Sequence, residues 1–405
     1  MPASSVRNES PLSGIRVLEL GQIAAGPFTA SLLADLGADV VKIERPDGGD
    51  GMRQWPPFSS GASDAEGYSE NFASVNRNKR SVAMDLKCEA DVVALKALVT
   101  ASDILIENYR PGVLARLGLG YEDMKKINPK LIYCSISGYG QTGPYATKGA
   151  FDVTVQGISG IMSVTGEPGA PPVKCGVPIG DFCAGLYAGF SVLAMLRKAE
   201  ETGAGAHIDC SMIGSLLGIS ALQTSEYFGN DLPPQRLGSA HPRNAPYQAF
   251  LASDAYFVIA AGNDKLWHQV ANSVGMPELS TDQRFLTQAD RAKNQTVLMD
   301  ILAPIFKTRT AADWLTEMDR RSVPCAPIND FAEILADPHI QHMGLVKTLD
   351  LPNGASTKTV AFPVSISGVN TGTLSPPPLL GEHNEEVLAE WLGGTTGTIK
   401  TGENL

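Results

Sequence analysis

Short apolar runs alternate with amphipathic segments over the first 140 residues, and this pattern is typical of strands that alternate with helices. Apolar runs rich in β-branched residues predict buried strands at 15–20, 38–44, 81–84, 104–107 and 131–136. Helical spacing between these runs predicts helices at 28–36, 90–100 and 112–117. Because strands joined through helices pair in parallel, the pattern predicts a doubly wound α/β domain. Its ligands are expected beyond the carboxyl ends of the strands.

The second half of the chain has longer helical runs and then a change of pattern. Apolar runs predict long helices at 181–198 and 210–227, and the pair Pro233-Pro234 marks a boundary after them. Strand-like runs at 247–250 and 256–260, followed by helical patterns, predict a second, smaller α+β domain.

The last part of the chain contains a strand-like piece at 359–364 and a helix that ends at Trp391. The Gly/Thr-rich tail at 393–405 is expected to fray. These patterns divide the chain into a large domain, a small domain and a C-terminal segment, at 1–228, 229–330 and 331–405.

Composition and charge narrow the class of protein. The chain has 405 residues, 43% of them hydrophobic and 19% charged, as in ordinary globular proteins. Its formal net charge of −11 argues against nucleic acid or a membrane surface as a partner. The six cysteines form no C-x-x-C pair, no apolar segment without Gly, Ser or charge is long enough to span a membrane, and the N-terminus resembles no targeting peptide. We therefore expect an intracellular protein without a metal site, cytoplasmic, with mitochondria as the alternative.

Cations recur beside the predicted strands of the first domain. Arg45 follows the second strand, Lys79 precedes the third, and the segment Asn108-Tyr109-Arg110 leads into a helix that bears Arg116. In an acidic protein such cations predict a phosphate pocket, and the alternative is a set of solvated surface residues. The turn at 21–26 lacks the G-x-G-x-x-G spacing, so we expect no nicotinamide site.

Asp181 stands between small residues at the start of the first long helical run. One interpretation is an N-cap, whose carboxylate accepts hydrogen bonds from the first turn. The other is a nucleophile that a bulky thioester could approach. The histidines form no catalytic constellation, although His241 could face a cleft, and the glycine-containing segments around Tyr139 and at Gly262-Asn263 could be turns or covers over a site.

Several blocks together resemble the class III CoA-transferases, also called the CaiB/BaiF family. The resemblance runs in order from about residue 11 to about residue 385. The blocks that carry it lie at 12–27, 36–46, 76–81, 107–112, 137–140 and 180–181.

This resemblance implies a fold, an assembly and a reaction. Family members are interlocked, ring-shaped homodimers with a Rossmann-like large domain that the C-terminal segment completes. The aspartate that matches Asp181 is the nucleophile, and coenzyme A or acyl-CoA is a substrate, with no permanently bound cofactor. The positions that match the family's CoA site are Gln22, Arg45, Lys79, Asn108, Tyr109 and Arg116. The family's glycine loop corresponds to Ala261-Gly262-Asn263, without its glycine run, and a CoA-binding lysine is replaced by Ser137.

Two reaction classes and one binding function compete within this resemblance. The related 2-methylacyl-CoA racemases carry a histidine where this chain has Phe151, which cannot transfer a proton, so a transferase is favoured. A non-catalytic acyl-CoA binder is poorly motivated when Asp181 is present.

Among the transferases, the chain is most similar to the succinate–hydroxymethylglutarate type. The segments that carry this similarity are 138–144, 246–250, 261–263 and 376–381. The similarity implies succinyl-CoA as donor and glutarate, hydroxymethylglutarate or itaconate as acceptor, with formyl-CoA and oxalate as the alternative pair. A dicarboxylate needs a cation for its second carboxylate, and Arg53 and Arg243 are the candidates.

Overall fold

The structure is a computed structural model that describes residues 10–60, 67–371 and 373–393. All but the first residue of the tail predicted to fray, at 393–405, therefore lies outside the described residues. The strands in chain order are β1 (Arg16–Leu20), β2 (Asp39–Glu44), β3 (Phe58–Ser59), β4 (Tyr68–Ser69), β5 (Lys79–Ala83), β6 (Ile104–Glu107), β7 (Ile132–Ser137), β8 (Ala206–Ser211), β9 (Tyr247–Leu251), β10 (Tyr256–Ala260), β11 (Cys325–Pro327), β12 (Val346–Asp350) and β13 (Ser356–Val360). The helices are α1 (Ala25–Asp35), α2 (Glu70–Asn76), α3 (Glu89–Thr100), α4 (Val113–Arg116), α5 (Tyr121–Ile127), α6 (Asp152–Ile158), α7 (Ile161–Val164), α8 (Ile179–Thr202), α9 (Met212–Ile219), α10 (Ala221–Asn230), α11 (Asp264–Ser273), α12 (Gln288–Lys293), α13 (Gln295–Phe306), α14 (Ala311–Arg320), α15 (Phe331–Ala336), α16 (Pro338–Met343) and α17 (Asn384–Trp391).

The chain folds into two compact units. The first contains the described residues up to 159, residues 175–225 and those from 339 onward. The second contains residues 160–174 and 226–338.

A parallel six-stranded sheet forms the centre of the first unit. Its order is β5-β2-β1-β6-β7-β8, and every neighbouring pair is parallel. The chain runs outward from β1 in one direction to β5 and then returns to β6 and continues in the other direction. The strand order therefore reverses between β1 and β6, and such a reversal opens a crevice beyond the carboxyl ends of the two strands.

The five predicted strands of the first domain are confirmed, and so is its α/β class. The prediction of a helix starting at Cys210 is wrong, because residues 206–211 form β8, the edge strand of the sheet, and α9 begins only at Met212. The burial of β8 alternates along the strand, as expected at an edge.

The longest helix, α8, packs against α1, α9 and strands β7 and β8. By length and composition alone it could cross a membrane, although Gly, Ser and charged residues interrupt its apolar run. It packs against the sheet on one side, and 39% of its apolar stretch is buried.

The second unit has its own core on a small antiparallel sheet in the order β11-β10-β9. The predicted strand pair is confirmed as β9 and β10. Trp267 of α11, Phe306 of α13 and Trp314 of α14 are buried together with Phe250 and Phe257 of the sheet.

The C-terminal segment returns to the first unit. Asn384 of α17 accepts a hydrogen bond from the Ala83 backbone at 2.8 Å, and Gly381 donates to the Ser81 hydroxyl at 3.0 Å. Trp391, at the end of α17, donates to Asp39 of β2 at 2.8 Å. These contacts cover the β5 edge of the sheet, where the chain would otherwise leave unpaired backbone groups.

Candidate active site

Two loops meet across the crevice at the reversal point of the sheet. Gln22 follows β1 and Asn108 follows β6. The Gln22 backbone N–H donates to Asn108 Oδ1 at 2.8 Å, and Asn108 Nδ2 donates to the Gln22 carbonyl at 2.9 Å. This reciprocal pair fixes the two loops at the place where an α/β sheet binds its ligand.

Asp181 lies in a cavity of about 380 Å³ that this crevice opens into, here called the Asp181 cavity. Its lining includes Gln22, Asn108 and Tyr109 from the crevice, Tyr139 after β7, and Asp152 at the start of α6. The predicted nucleophile and three of the predicted CoA contacts are therefore brought together, and Tyr139 joins them.

A second cavity, of about 360 Å³, contains the predicted phosphate contacts and is here called the Arg45 cavity. Arg45, Arg116 and Lys87 line it, and Lys87 is a cation that the sequence did not single out. Gln22 and Tyr109 line both cavities. A ligand that occupies the two cavities must pass these two side chains.

Asp181 is the third residue of α8 and does not cap the helix. The N-cap position is Pro178, and within the described residues no hydrogen bond reaches the Asp181 carboxylate. Burial, and secondarily the negative charge of Asp152, raises the pKa of Asp181 to about 6. The N-cap interpretation is therefore wrong, and the carboxylate has its oxygens free within the described structure while remaining ionised at neutral pH.

Asp152 is a carboxylate of this site that the sequence analysis did not name. Its Oδ1 accepts the Gly180 N–H at 2.8 Å, and its Oδ2 accepts Gln156 Nε2 at 2.6 Å. Gln156 in turn accepts the Cys175 N–H at 2.8 Å. Asp152 thus ties α6 to the first turn of α8, directly before Asp181. The sequence signal for Asp152 is its place directly after Phe151, the position that holds a histidine in the racemases.

Buried charges support the turn that carries Gln22. Lys42 forms ion pairs with Glu19 at 2.7 Å and with Asp50 at 3.0 Å, and it donates to the Gly21 carbonyl at 2.8 Å. Asp50 accepts the N–H of Ile23, a β-branched residue held at a φ of 65°. A left-handed Ile is strained, so the Asp50 hydrogen bond helps to hold this turn in its conformation.

Lys79 does not reach either cavity. Its ammonium is completely buried, 2.7 Å from Glu19, and donates to the Pro27 carbonyl at 2.8 Å and to Asn76 at 3.0 Å. Burial lowers its pKa to about 8. The structure thus places Lys79 beneath α1, although the resemblance matched it to a CoA contact.

Four other residues that the sequence suggested for the substrate site lie in the second unit. Asn263 caps α11 by accepting the Leu266 N–H, and Gly262 precedes it in the second unit. In the same unit, His241 Nδ1 accepts the Arg243 N–H at 3.1 Å, and Arg243 pairs with Glu226 at 3.4 Å. None of these four predicted residues lines the Asp181 cavity.

The side chain of Arg53 is also held by contacts within the fold. It donates to both carboxylate oxygens of Glu44, at 2.7 and 2.6 Å, and its guanidinium lies 3.8 Å from the centre of the Phe72 ring. A guanidinium held in this way has no free face for a substrate carboxylate, so Arg53 is wrong as the candidate for that role.

Comparison with known proteins identifies the family. The family model described as CoA-transferase family III matches residues 12–384. The chain belongs to CoA-transferase family III. The α/β fold agrees with this, because a CAIB/BAIF family protein from Brucella suis of known crystal structure superimposes on it with a TM-score of 0.83. That structure is 38% identical, and the match covers 95% of this chain and 100% of the other.

Relatives of this family III chain include enzymes with different carboxylates in their names. A succinate–glutarate CoA-transferase of Agrobacterium fabrum is 39% identical over 381 residues, which are 94% of this chain and 95% of the relative. An acetyl-CoA:oxalate CoA-transferase of Acetobacter aceti is 40% identical over 326 residues, 80% of this chain and 82% of that relative. The expected family is confirmed, and the chain is a CoA-transferase.

Proposed function

We propose that this enzyme moves CoA from succinyl-CoA to a dicarboxylic acid of the glutarate, hydroxymethylglutarate or itaconate type. The observation that carries the proposal is a carboxylate nucleophile in a cavity that shares Gln22 and Tyr109 with a cavity of three cations. Phosphates of an acyl-CoA fit Arg45, Lys87 and Arg116, and its thioester then extends past Tyr109 toward Asp181. The similarity to the Agrobacterium fabrum succinate–glutarate enzyme supports the choice of substrates.

The reaction that we propose proceeds through covalent intermediates on Asp181. The carboxylate attacks the succinyl thioester carbon, the C–S bond breaks, and a mixed anhydride and CoA thiolate form. The thiolate attacks the aspartyl carbonyl, which releases succinate and leaves an aspartyl-CoA thioester. The acceptor carboxylate attacks this thioester, and the freed thiolate then attacks the acceptor's acyl carbon, so that the new acyl-CoA forms and Asp181 is regenerated.

Burial of Asp181 serves this chemistry in two ways. A carboxylate whose pKa is about 6 is more nucleophilic than an exposed one and is still ionised at pH 7. A partly closed cavity also keeps water away from the anhydrides, which hydrolyse readily.

We further propose that two chains form the interlocked homodimer implied by the family resemblance, with domains at 1–228 and 229–330 and the C-terminal segment 331–405. Apolar side chains on helices of the first unit support a second copy as partner. Leu186, Phe190 and Leu222 are 54%, 74% and 61% exposed on α8 and α10. A native mass of twice the 42.8-kDa chain tests this, and a monomer would contradict it. We place the enzyme inside the cell, in the cytoplasm, with mitochondria as the alternative.

The test of function is transfer from succinyl-CoA to a panel of acids, followed by the masses of the acyl-CoA products. The panel contains glutarate, hydroxymethylglutarate, itaconate, oxalate and a monocarboxylate. New dicarboxyl-CoA products are expected from the wild-type enzyme and none from Asp181→Ala, which should keep its fold. A formyl-CoA and oxalate enzyme would instead favour that pair.

A racemase is the alternative from another reaction class, and one measurement separates it. Phe151, 73% exposed at the edge of the Asp181 cavity, stands where the racemases have their histidine. We therefore expect no deuterium uptake from solvent into a 2-methylacyl-CoA. Uptake without transfer would overturn the proposed function.

A further inference from the structure

Two cations line the Asp181 cavity in addition to the three of the Arg45 cavity. These are Arg110, which follows Tyr109, and Lys148, in the loop after β7. Both side chains are exposed, and within the described residues neither forms a hydrogen bond or an ion pair with a carboxylate. The Asp181 cavity thus has two positive charges, on Arg110 and Lys148, that no ion pair within the described residues neutralises.

The loop at 141–150 holds Lys148 in place. Gln141 at its start donates its N–H to Asp209 of β8 at 2.8 Å, and Ala150 at its end packs against Gly138, where a side chain would overlap it. The Lys148 ammonium lies 4.9 Å from the centre of the Tyr145 ring and 6.0 Å from that of Tyr139. Cation–π contacts of this kind restrain an ammonium without neutralising its charge.

Arg110 lies against the same loop. A side chain built on Gly149, the residue after Lys148, would have its Cβ 3.5 Å from Arg110 Nη2. The guanidinium therefore lies beside the backbone next to Lys148, and both residues line the Asp181 cavity; they are here called the Arg110–Lys148 pair.

The Arg110–Lys148 pair lies in the cavity where we expect the acyl group, and not in the cavity where we expect the phosphates of CoA. Arg45, Lys87 and Arg116 line the cavity that lacks Asp181, whereas Arg110 and Lys148 line the cavity that contains it. Asp152 and Asp181 give the Asp181 cavity negative charge, so a substrate dianion needs a cation there to enter.

We propose that the Arg110–Lys148 pair binds the second carboxylate of the dicarboxylic substrate, the one that does not react. The inference rests on the proposed function and names the residues that select its substrate class. A monocarboxylate or its thioester places a methyl group beside the two cations and gains nothing from them, so the pair favours dicarboxylates. The pair takes the role for which Arg53 and Arg243 were the sequence candidates.

The experiment compares substrates that differ only in the second carboxylate. Succinyl-CoA is matched with butyryl-CoA as donor, and glutarate with pentanoate as acceptor. In a ping-pong reaction, kcat/KM for each substrate reports its own half-reaction. Lys148→Met is expected to lower kcat/KM for succinyl-CoA and for glutarate by about tenfold or more. The values for butyryl-CoA and pentanoate should stay within about twofold, and Lys148→Arg should recover most of the loss.

Lys125→Met is the matched control, because Lys125 is also exposed and lies 5.6 Å from a tyrosine ring, that of Tyr121, but does not line the cavity. It should leave all four values unchanged. An equal loss for charged and uncharged substrates in Lys148→Met would overturn the inference and assign Lys148 to CoA itself. Absence of transfer from both thioesters in the wild-type enzyme would overturn the proposed function, and the inference with it.

Discussion

The two carboxylates of the Asp181 cavity act on each other through charge. Asp152 is fixed by the Gly180 N–H and by Gln156, so its negative charge stays close to Asp181. Burial already disfavours the ionised form of Asp181, and Asp152 adds to this effect. Burial and Asp152 together therefore determine the lowest pH at which Asp181 is ionised.

Replacing Asp152 by Asn tests whether the negative charge of Asp152 raises the pKa of Asp181. Asp152→Asn keeps an oxygen for the Gly180 N–H but removes the negative charge, so the pKa of Asp181 should fall below about 6 while burial keeps it above its ordinary value. The acid limb of kcat/KM for succinyl-CoA should move to lower pH. Asp123→Asn, at a half-buried position outside the Asp181 cavity, serves as control. An acid limb that stays in place or moves up in Asp152→Asn would refute the coupling.

Asp181 should also weaken the fold when it is ionised. Because the pKa of Asp181 is raised from 3.8 to about 6, the folded chain binds more protons than the unfolded chain between these values, and its contribution to stability falls as pH rises through that window. Asp181→Asn should therefore unfold with a higher free energy at pH 8, by up to about 3 kcal/mol, and with a smaller difference near pH 4.5.

Denaturant titrations at the two pH values measure this difference. An Asn variant that is less stable than the wild type at pH 8 would mean that the ionised carboxylate is stabilised by interactions in the folded chain.

A residue of the site could be predicted from the sequence where its place after a strand determines the position of its side chain. It could not be predicted where packing between distant elements determines that position. Arg45 and Arg116 follow β2 and β6, so parallel pairing alone brings them to the ligand edge. Lys79 opens β5 and therefore starts at the opposite edge, and only the packing of α1 shows that its long side chain ends in a buried ion pair. Asp152 contacts a backbone group 28 residues away, a distance that no spacing rule covers.

At the scale of elements, the edge strand β8 shows why the helix prediction failed. Its residues alternate between half-buried and exposed, and the apolar run of α9 follows without a break. A prediction from a short stretch of sequence therefore joins β8 and α9 into one helix, because that stretch does not show that β7 has a free edge with which β8 can pair. The central strands are buried on both faces and gave clear apolar runs.

The backbone just before β8 packs so closely against its neighbour that a substitution there can test the packing. Gly205 donates its N–H to the Pro129 carbonyl, and a Cβ at this position would overlap the backbone carbonyl of Leu131. Gly205→Ala should displace the start of β8 and cost roughly 2–4 kcal/mol of unfolding free energy. Gly229→Ala is the control, since a Cβ at Gly229 meets nothing within 4 Å. Equal melting temperatures for the two variants would show that the β7–β8 junction yields without cost.

At the scale of the whole molecule, the C-terminal segment is part of the first unit and not an appendage. Trp391 is 5% exposed, donates to Asp39, and has the Arg16 guanidinium 5.2 Å from its ring centre. The family resemblance implied this return, whereas the hydrophobic pattern predicted only a helix. A contact across more than 300 residues depends on the complete fold and leaves no local signature.

Truncating this anchor should destabilise the first unit. Trp391→Ala removes a buried ring and a hydrogen bond and is expected to cost about 3–5 kcal/mol, whereas Trp391→Phe keeps most of the packing and should cost less. Thermal unfolding of the two variants measures the order. If Trp391→Ala were no less stable than Trp391→Phe, α17 would not be holding the sheet.

The return of the C-terminal segment also bears on how the protein is made. During translation β5 leaves the ribosome about 300 residues ahead of Asn384 and Gly381, the groups that later bond to Ala83 and Ser81. Until the codons for Gly381 and Asn384 are read, the nascent chain carries an open sheet edge that can pair with any extended segment nearby. Late ribosomal stalling would therefore leave a product prone to aggregation, and a chaperone that shields the nascent sheet would raise the yield of active enzyme.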